Sequence, residues 1–309
     1  MTIAIVAEDF AGMRAQATGL TERAGYGWTF HPVTRTGFWS RLPFRFCPFP
    51  LSAVEPIVVP SGTEAIVSVG GTGGVAGAAL ARKLGLPVVQ IQNPRMALNR
   101  FDLVVANCHD GIAGENVVLS RTAMHGMTPE RLQAARAHWT PRLRRDGRKL
   151  LSVLVGGANG RFRFGPEDAR ALGRGVAEAA REGDAAVVLT PSRRTAPEVL
   201  AALREALTPV DAFIWDGTGE NPYAGLLACA DLVVVTKDSV SMVSEAVATA
   251  APVLVADMPG RSRRIDAFLD ALRETGQIRS FASRWETWDV SPLDDTPVAA
   301  VALRGLLDR

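Results

Sequence analysis

The chain has 309 residues, of which 47% are hydrophobic and 21% charged, and its formal net charge is +2. Such a composition belongs to a globular chain long enough for two domains of ordinary size, and the near balance of charge excludes a strongly basic nucleic-acid-binding protein. Cys47, Cys108 and Cys229 lie far apart with no CxxC or Cys/His ligand spacing, which excludes a disulfide scaffold or zinc site and fits a reducing compartment.

The opening MTIAIVAEDF carries no basic leader and no long apolar core. Neither a signal peptide nor a transmembrane span is expected, and the chain reads as soluble and cytoplasmic. Short β-branched runs then alternate with Ala- and Arg-rich helical stretches. In the first half strands are expected at 2–7, 64–69, 87–91 and 102–107, with helices over 12–23 and 75–84. The polar, basic stretch HWTPRLRRDGRKL (138–150), with Pro141 and Gly147, marks a break. Strands then recur at 150–155, 185–190, 211–215, 231–235 and 252–256, with helices at 166–182, 196–206, 222–229 and 240–250. The tail, 292–309, ends in a final helix within TPVAAVALRGLLDR.

This β-α-β rhythm predicts an α/β protein of two Rossmann-like, doubly wound parallel-sheet domains facing across a cleft. The boundaries are 1–145 and 146–309, with the last helix free to return to the first domain. One region resists the pattern: WTFHPVTRTGFWSRLPFRFCPFPL (28–51) packs aromatics, prolines and arginines together. It reads either as a loop touching a membrane, which would place the protein peripherally at the inner membrane, or as a Pro-rich connection whose aromatics fold onto the domain. The second reading is adopted.

Polar chemistry collects where strands end. The strand DLVVV empties into TKDSVSMVSEA (236–246), where Thr236, Asp238, Ser239, Ser241 and Met242 crowd a helix start and Glu245 follows. A helix N-terminus at the carboxyl end of a parallel strand suits a diphosphate, and Glu245 could reach a ribose; a plain capping box is the alternative. LLSVLV runs into Gly156, Gly157 and Asn159, where glycines permit close backbone approach. AAVVLT runs into Ser192, Arg193, Arg194 and Thr195, a candidate phosphate clamp. The loop before the next helix carries Asn221 and Tyr223, candidates for a base pocket. In the first half, Gly70, Gly71, Thr72 and Gly73 follow a strand as a candidate phosphate loop without a Walker lysine. The first strand ends in Glu8, Asp9, Gly12 and Gln16, and DLVVAN ends near His109 and Asp110, either of which suits a general base.

SRRT (192–195), GENPY (219–223) and VTKDSVSMVSEA (235–246), with AEDFAGMRAQATGL (7–20), FDLVVANCHDGIAGENVV (101–118) and VLVGGANGRF (153–162), resemble the signature blocks of the ELM1-like proteins. The resemblance covers most of the chain and implies a GT-B fold. VSVGGTGGVAGAALARKLGLPVV is similar to the glycine-rich segment of MurG-type glycosyltransferases, without the histidine of that enzyme's first loop. DSVSMVSEA is similar to the DSGGxxEEA segment of the non-hydrolysing UDP-N-acetylglucosamine 2-epimerase, with Val240 and Ser241 in place of two glycines. By position the likeness puts Ser239, Val240 and Ser241 at a donor diphosphate and Glu245 at its ribose.

The expected activity is therefore that of an inverting, metal-independent glycosyltransferase. A nucleotide-diphosphate sugar would bind the second domain as substrate, with no tightly bound cofactor. A saccharide or lipid-linked acceptor would bind the first domain through Glu8, Gly12, Gln16 and the Gly70–Gly73 segment, with Asp9, His109 or Asp110 as base. The Asp294–Asp295 pair sits in the tail, away from any strand end, so no DxD metal site is expected. A nucleotide-sugar epimerase using Asp9 with Asp110, and a non-catalytic scaffold, are the alternatives.

Overall fold

The computed structural model describes residues 1–144 and 147–308. Among these residues the chain forms two six-stranded sheets in which every neighbouring pair runs parallel. The chain divides into two compact units, Met1–Gly126 with Asp294–Arg309, and Met127–Leu293.

The first unit begins β1 (Thr2–Ala7), α1 (Ala11–Arg23), β2 (Gly27–Pro32), β3 (Thr63–Val69), α2 (Gly70–Leu84), β4 (Val88–Ile91), β5 (Leu103–Asn107) and β6 (Val117–Ser120). Its sheet order is β2-β1-β3-β4-β5-β6. The four central strands are almost wholly buried, and both faces are covered, so they read as continuous apolar runs. The two edges, β2 and β6, are largely half-exposed and carry no such run. Hence β2 lies inside the stretch read as an irregular connection.

α2 starts at Gly70, five residues before the expected Val75, so the glycine-rich segment is the beginning of a helix and not a loop. Gly70 takes φ +71°, a left-handed conformation that glycine alone adopts at little cost. A Cβ at Gly73 would lie 2.7 Å from the Val6 carbonyl oxygen, and one at Gly74 would lie 2.8 Å from Gln90 Oε1. These glycines let α2 lie against β1 and β4.

The second unit comprises α3 (Pro129–Leu143), β7 (Lys149–Val155), α4 (Pro166–Gly183), β8 (Ala185–Pro191), α5 (Pro197–Leu207), β9 (Ala212–Ile214), α6 (Tyr223–Cys229), β10 (Leu232–Thr236), α7 (Val240–Val247), β11 (Val253–Ala256), α8 (Arg263–Glu274) and β12 (Ile278–Ser280). Its order is β12-β11-β10-β7-β8-β9. Proline at the first position opens α3, α4 and α5, where its missing N–H costs nothing. The boundary read at 145/146 falls on residues outside those described. α3 occupies much of the stretch read as a break. The Thr128 hydroxyl caps it by accepting the Arg131 N–H at 3.1 Å, and its Trp139 is buried against Gly225 of α6, which ties it to the second unit.

The chain then re-enters the first unit as α9 (Thr296–Leu307), whose Ala299, Ala300 and Leu303 join the core containing β1 and β3. Two carboxylates fasten this return. Asp294 pairs with Arg23 at 2.6 Å, and Asp295 accepts from the Arg121 guanidinium at 2.6 and 3.1 Å and from its backbone N–H at 2.6 Å.

Candidate functional site

In the second unit β10, β7 and β8 are adjacent, so their carboxyl ends and the loops that follow meet. Asp238 joins them. Its side chain is fully buried and accepts from the Gly157 N–H at 3.2 Å, the Thr236 hydroxyl at 2.7 Å and Arg194 Nη2 at 2.7 Å. Thr236 Oγ1 in turn accepts the Gly156 N–H at 2.7 Å, and Arg194 Nη1 reaches the Gly157 carbonyl at 3.1 Å. Thr195 donates to the Gly156 carbonyl at 2.5 Å, and its Oγ1 accepts the Ser192 N–H at 2.9 Å. A Cβ at Gly156 would fall within the Asp238 carboxylate, and one at Gly157 within the Arg194 carbonyl group. The two glycines are thus required by the protein's own close packing, whatever else approaches them.

The remaining expected donor residues divide between local structure and open surface. Ser239 caps α7, its Oγ accepting the Met242 N–H at 3.3 Å, while the Met242 side chain packs against the core. Ser241 is half-buried in the first turn. Asn159 closes a turn by accepting from the Arg161 and Phe162 amides at 2.9 and 3.0 Å, and Asn221 accepts the Tyr223 N–H at 3.0 Å. Arg193 is exposed, and 41% of the Arg194 side chain is exposed beside it.

Glu245 is buried in α7 and accepts a short hydrogen bond from the Tyr223 hydroxyl through Oε2. Burial pushes its carboxyl up to about 7, against the opposing pulls of the Tyr223 hydrogen bond and the Arg131 charge. Burial also raises the Tyr223 phenol well above its ordinary value, with the Glu245 charge adding to it. Arg131 escaped the sequence reading because the helix that carries it was read as connection.

In the first unit the expected residues spread along the sheet. Asp9 is exposed and pairs with Arg14 at 3.0 Å, and the Arg14 guanidinium lies 3.7 Å from the Phe30 ring. Glu8 is half-buried, and Gly12 falls inside α1 and not in a turn before it. Gln16 is buried and accepts from Gln92 Nε2 at 3.2 Å. His109 and Asp110 share the single 3-10 turn Cys108–Asp110, closed by Gly111 at φ +63°. β1 and β5 are three strand positions apart, so Asp9 and the His109–Asp110 turn leave the sheet about 14 Å apart. Gly71 is exposed and Thr72 half-buried at the start of α2.

The sequence reading missed Gln90 and Gln92. Gln90 is buried, accepts from Ser68 at 2.7 Å and donates to the carbonyls of Ile91, Gly70 and Gln92 at 2.6, 3.1 and 3.1 Å. Gln92 holds φ +71°, an uncommon conformation for a residue with a side chain. A glutamine inside the apolar run PVVQI was the available signal, since a buried polar group demands partners.

The chain is 32% identical over 244 residues to the mitochondrial fission protein ELM1 of Arabidopsis thaliana, a match that takes in 70% of this chain and 57% of that protein's length. Among solved structures it is similar to the UDP-GlcNAc 2-epimerase of Neisseria meningitidis, bound there to UDP-GlcNAc, with a TM-score of 0.55 at 13% identity over 100% of both chains. It is also similar to Acinetobacter baumannii MurG, with a TM-score of 0.52 at 16% identity over 99% of this chain and 92% of that one. At such identities these likenesses establish the GT-B fold. The profile of the mitochondrial fission ELM1 family matches residues 11–307, and the chain belongs to that family.

Proposed function

We propose that the second unit binds a nucleoside-diphosphate sugar as donor for an inverting glycosyl transfer. The observation that supports this reading is the Asp238-centred platform: three adjacent strand ends are locked together beside the start of α7, with Arg193 and part of Arg194 exposed there. A diphosphate at that helix start would meet the Val240 N–H, which has no acceptor within the helix, and would have two guanidinium groups nearby. Those groups would stabilise the charge that develops on the leaving diphosphate. In this reading Asp238 is a positioning residue that holds Arg194, and not itself a phosphate ligand. Glu245 has one oxygen engaged by Tyr223, and its other oxygen would accept from a ribose hydroxyl.

For the acceptor, a saccharide or a lipid-linked saccharide, we assign deprotonation to His109, Asp110 or Asp9. The strand spacing favours transfer over epimerisation by Asp9 with Asp110, because about 14 Å exceeds what two carboxylates can span around one sugar ring.

Thermal shift with UDP, GDP, ADP, CDP and dTDP, with and without magnesium, tests the donor site. A diphosphate present at a hundred times its Kd stabilises the fold by about 2.7 kcal/mol. The expected result is a raised melting point with one nucleotide, reduced in Arg193→Ala and in Glu245→Gln. A flat response to every nucleotide at millimolar concentration would overturn the reading in favour of a non-catalytic scaffold.

A further inference from the structure

The expectation that the aromatics of 28–51 fold onto the domain holds only in part. Arg35 and Val54 form an isolated antiparallel bridge. Beside it the Thr36 N–H donates to the Ala53 carbonyl at 2.9 Å and the Glu55 N–H to the Thr34 carbonyl at 3.0 Å. Residues 35–54 therefore leave and return at one neck. Phe44, 4% exposed, and Cys47, 8% exposed, are buried in one core cluster with Ala76, Leu80 and Ala81 of α2, which pins the excursion to the first unit. The residues around those anchors face outward. Phe38 is 73% exposed, Phe46 65% and Phe49 74%.

Charge says what such a face would meet. From residue 24 to residue 54 the sequence has Arg35, Arg41 and Arg45 and no Asp or Glu. Arg41 and Arg45 are exposed among the three phenylalanines, and the Arg45 guanidinium lies 4.8 Å from the Phe46 ring. A second copy of this face would set arginine against arginine with no acid to pair. An anionic bilayer satisfies both chemistries, taking phenylalanine rings at the headgroup boundary and guanidinium groups at lipid phosphates. Pro43, Pro48 and Pro50 stiffen the excursion, so little conformational freedom is lost on docking. Among the described residues no helix is long and apolar enough to cross a membrane, so any attachment through this face is peripheral.

We propose that residues 35–54 dock the first unit on an anionic lipid surface through Phe38, Phe46 and Phe49, with Arg41 and Arg45 at the lipid phosphates. The inference stands apart from the nucleotide reading, which concerns the other unit. Co-sedimentation of the full chain with vesicles of phosphatidylcholine alone, and of phosphatidylcholine mixed with phosphatidylglycerol, tests it. The chain is expected to pellet with the mixed vesicles only, and less as salt rises. Each arginine near such a surface contributes roughly fivefold, so Arg41→Gln with Arg45→Gln lowers partitioning by about 25-fold at low salt. Replacing Phe38, Phe46 and Phe49 by serine abolishes pelleting and leaves the melting point unchanged, because all three side chains are exposed. Failure to pellet with mixed vesicles would overturn the proposal. So would a native dimer that the triple serine variant turns into monomer, which would make the face an interface between copies.

Discussion

The Tyr223 hydroxyl, at the first position of α6, donates to Oε2 of Glu245 on α7, and this bond holds a carboxyl group where water does not reach it. The Glu245 carboxyl, near 4.5 in an ordinary setting, is pushed up to about 7, chiefly by burial. A folded-state value above the unfolded one gives stability that is fully present at low pH and is lost as pH rises from about 4.5 through about 7. At about 1.4 kcal/mol per unit, the loss amounts to about 3 kcal/mol. Urea denaturation at pH 4.5 and pH 8 should show the native chain losing that much relative to Glu245→Gln. A difference between the two proteins that does not change with pH would mean that the carboxyl titrates normally. Tyr223→Phe removes a hydrogen bond that favours the ionised form, and should move the transition upward by about one pH unit.

Asp238 and Arg194 share one ion pair but should respond unequally to mutation. The Asp238 carboxylate is fully buried and serves three donors, whereas 41% of the Arg194 side chain is exposed. Asp238→Ala leaves buried donors without an acceptor and should cost about 3 kcal/mol in chemical denaturation. Arg194→Ala lets water replace the guanidinium and should cost about 1 kcal/mol or less. Equal losses would contradict the placement of Asp238 as the hub.

The contrast between Asp238 and Arg194 also marks how far the sequence could be read. Fully buried strands such as LVVVT of β10 announce themselves as apolar runs, and the polar residues just beyond them could be located without a structure. The half-exposed edges β2, β6 and β12 have no such run and could not. Residue type placed Asp238, Gly156 and Thr195 together at strand ends, but it could not tell a ligand contact from internal bonding. That difference depends on distances such as the 2.7 Å from Thr236 Oγ1 to Asp238 Oδ1. The glycines of α2 were misread for a related reason. Glycine marks close approach, and here what approaches is β1 and β4.

Two of those glycines give opposite expectations. Gly73→Ala would set a methyl group 2.7 Å from the Val6 carbonyl oxygen, an overpacking that should cost about 1–3 kcal/mol. Gly71 has nothing within 4 Å of its virtual Cβ and lies in the first turn of α2. Gly71→Ala should therefore be neutral or stabilise by up to about 1 kcal/mol, through helix propensity. Melting points of the two variants decide the matter. A Gly73→Ala variant as stable as the native chain would mean that α2 does not rest on β1 as described.

His125 should give the first unit the opposite pH response to that of Glu245 in the second. Its ring is buried, with Nε2 3.4 Å from Asp294 Oδ1, and Asp294 is also held by Arg23 at 2.6 Å. Burial lowers the imidazole below its ordinary value, the Arg23 charge lowers it further, and the Asp294 charge raises it in part. A depressed folded-state value means stability that is present above about pH 6.5 and is lost as pH falls through the folded value. In a Glu245→Gln background, which removes the competing response, urea denaturation from pH 7 to pH 5 should show this acid-side loss. His125→Gln should flatten it. Asp294→Asn removes the charge that supports the imidazolium, so the loss should begin at lower pH and become larger once both values are passed. Loss that begins at the same pH with and without the Asp294 carboxylate would show that Asp294 exerts no electrostatic control over the imidazole, and would leave it only the role of pairing with Arg23 where α9 returns to the first unit.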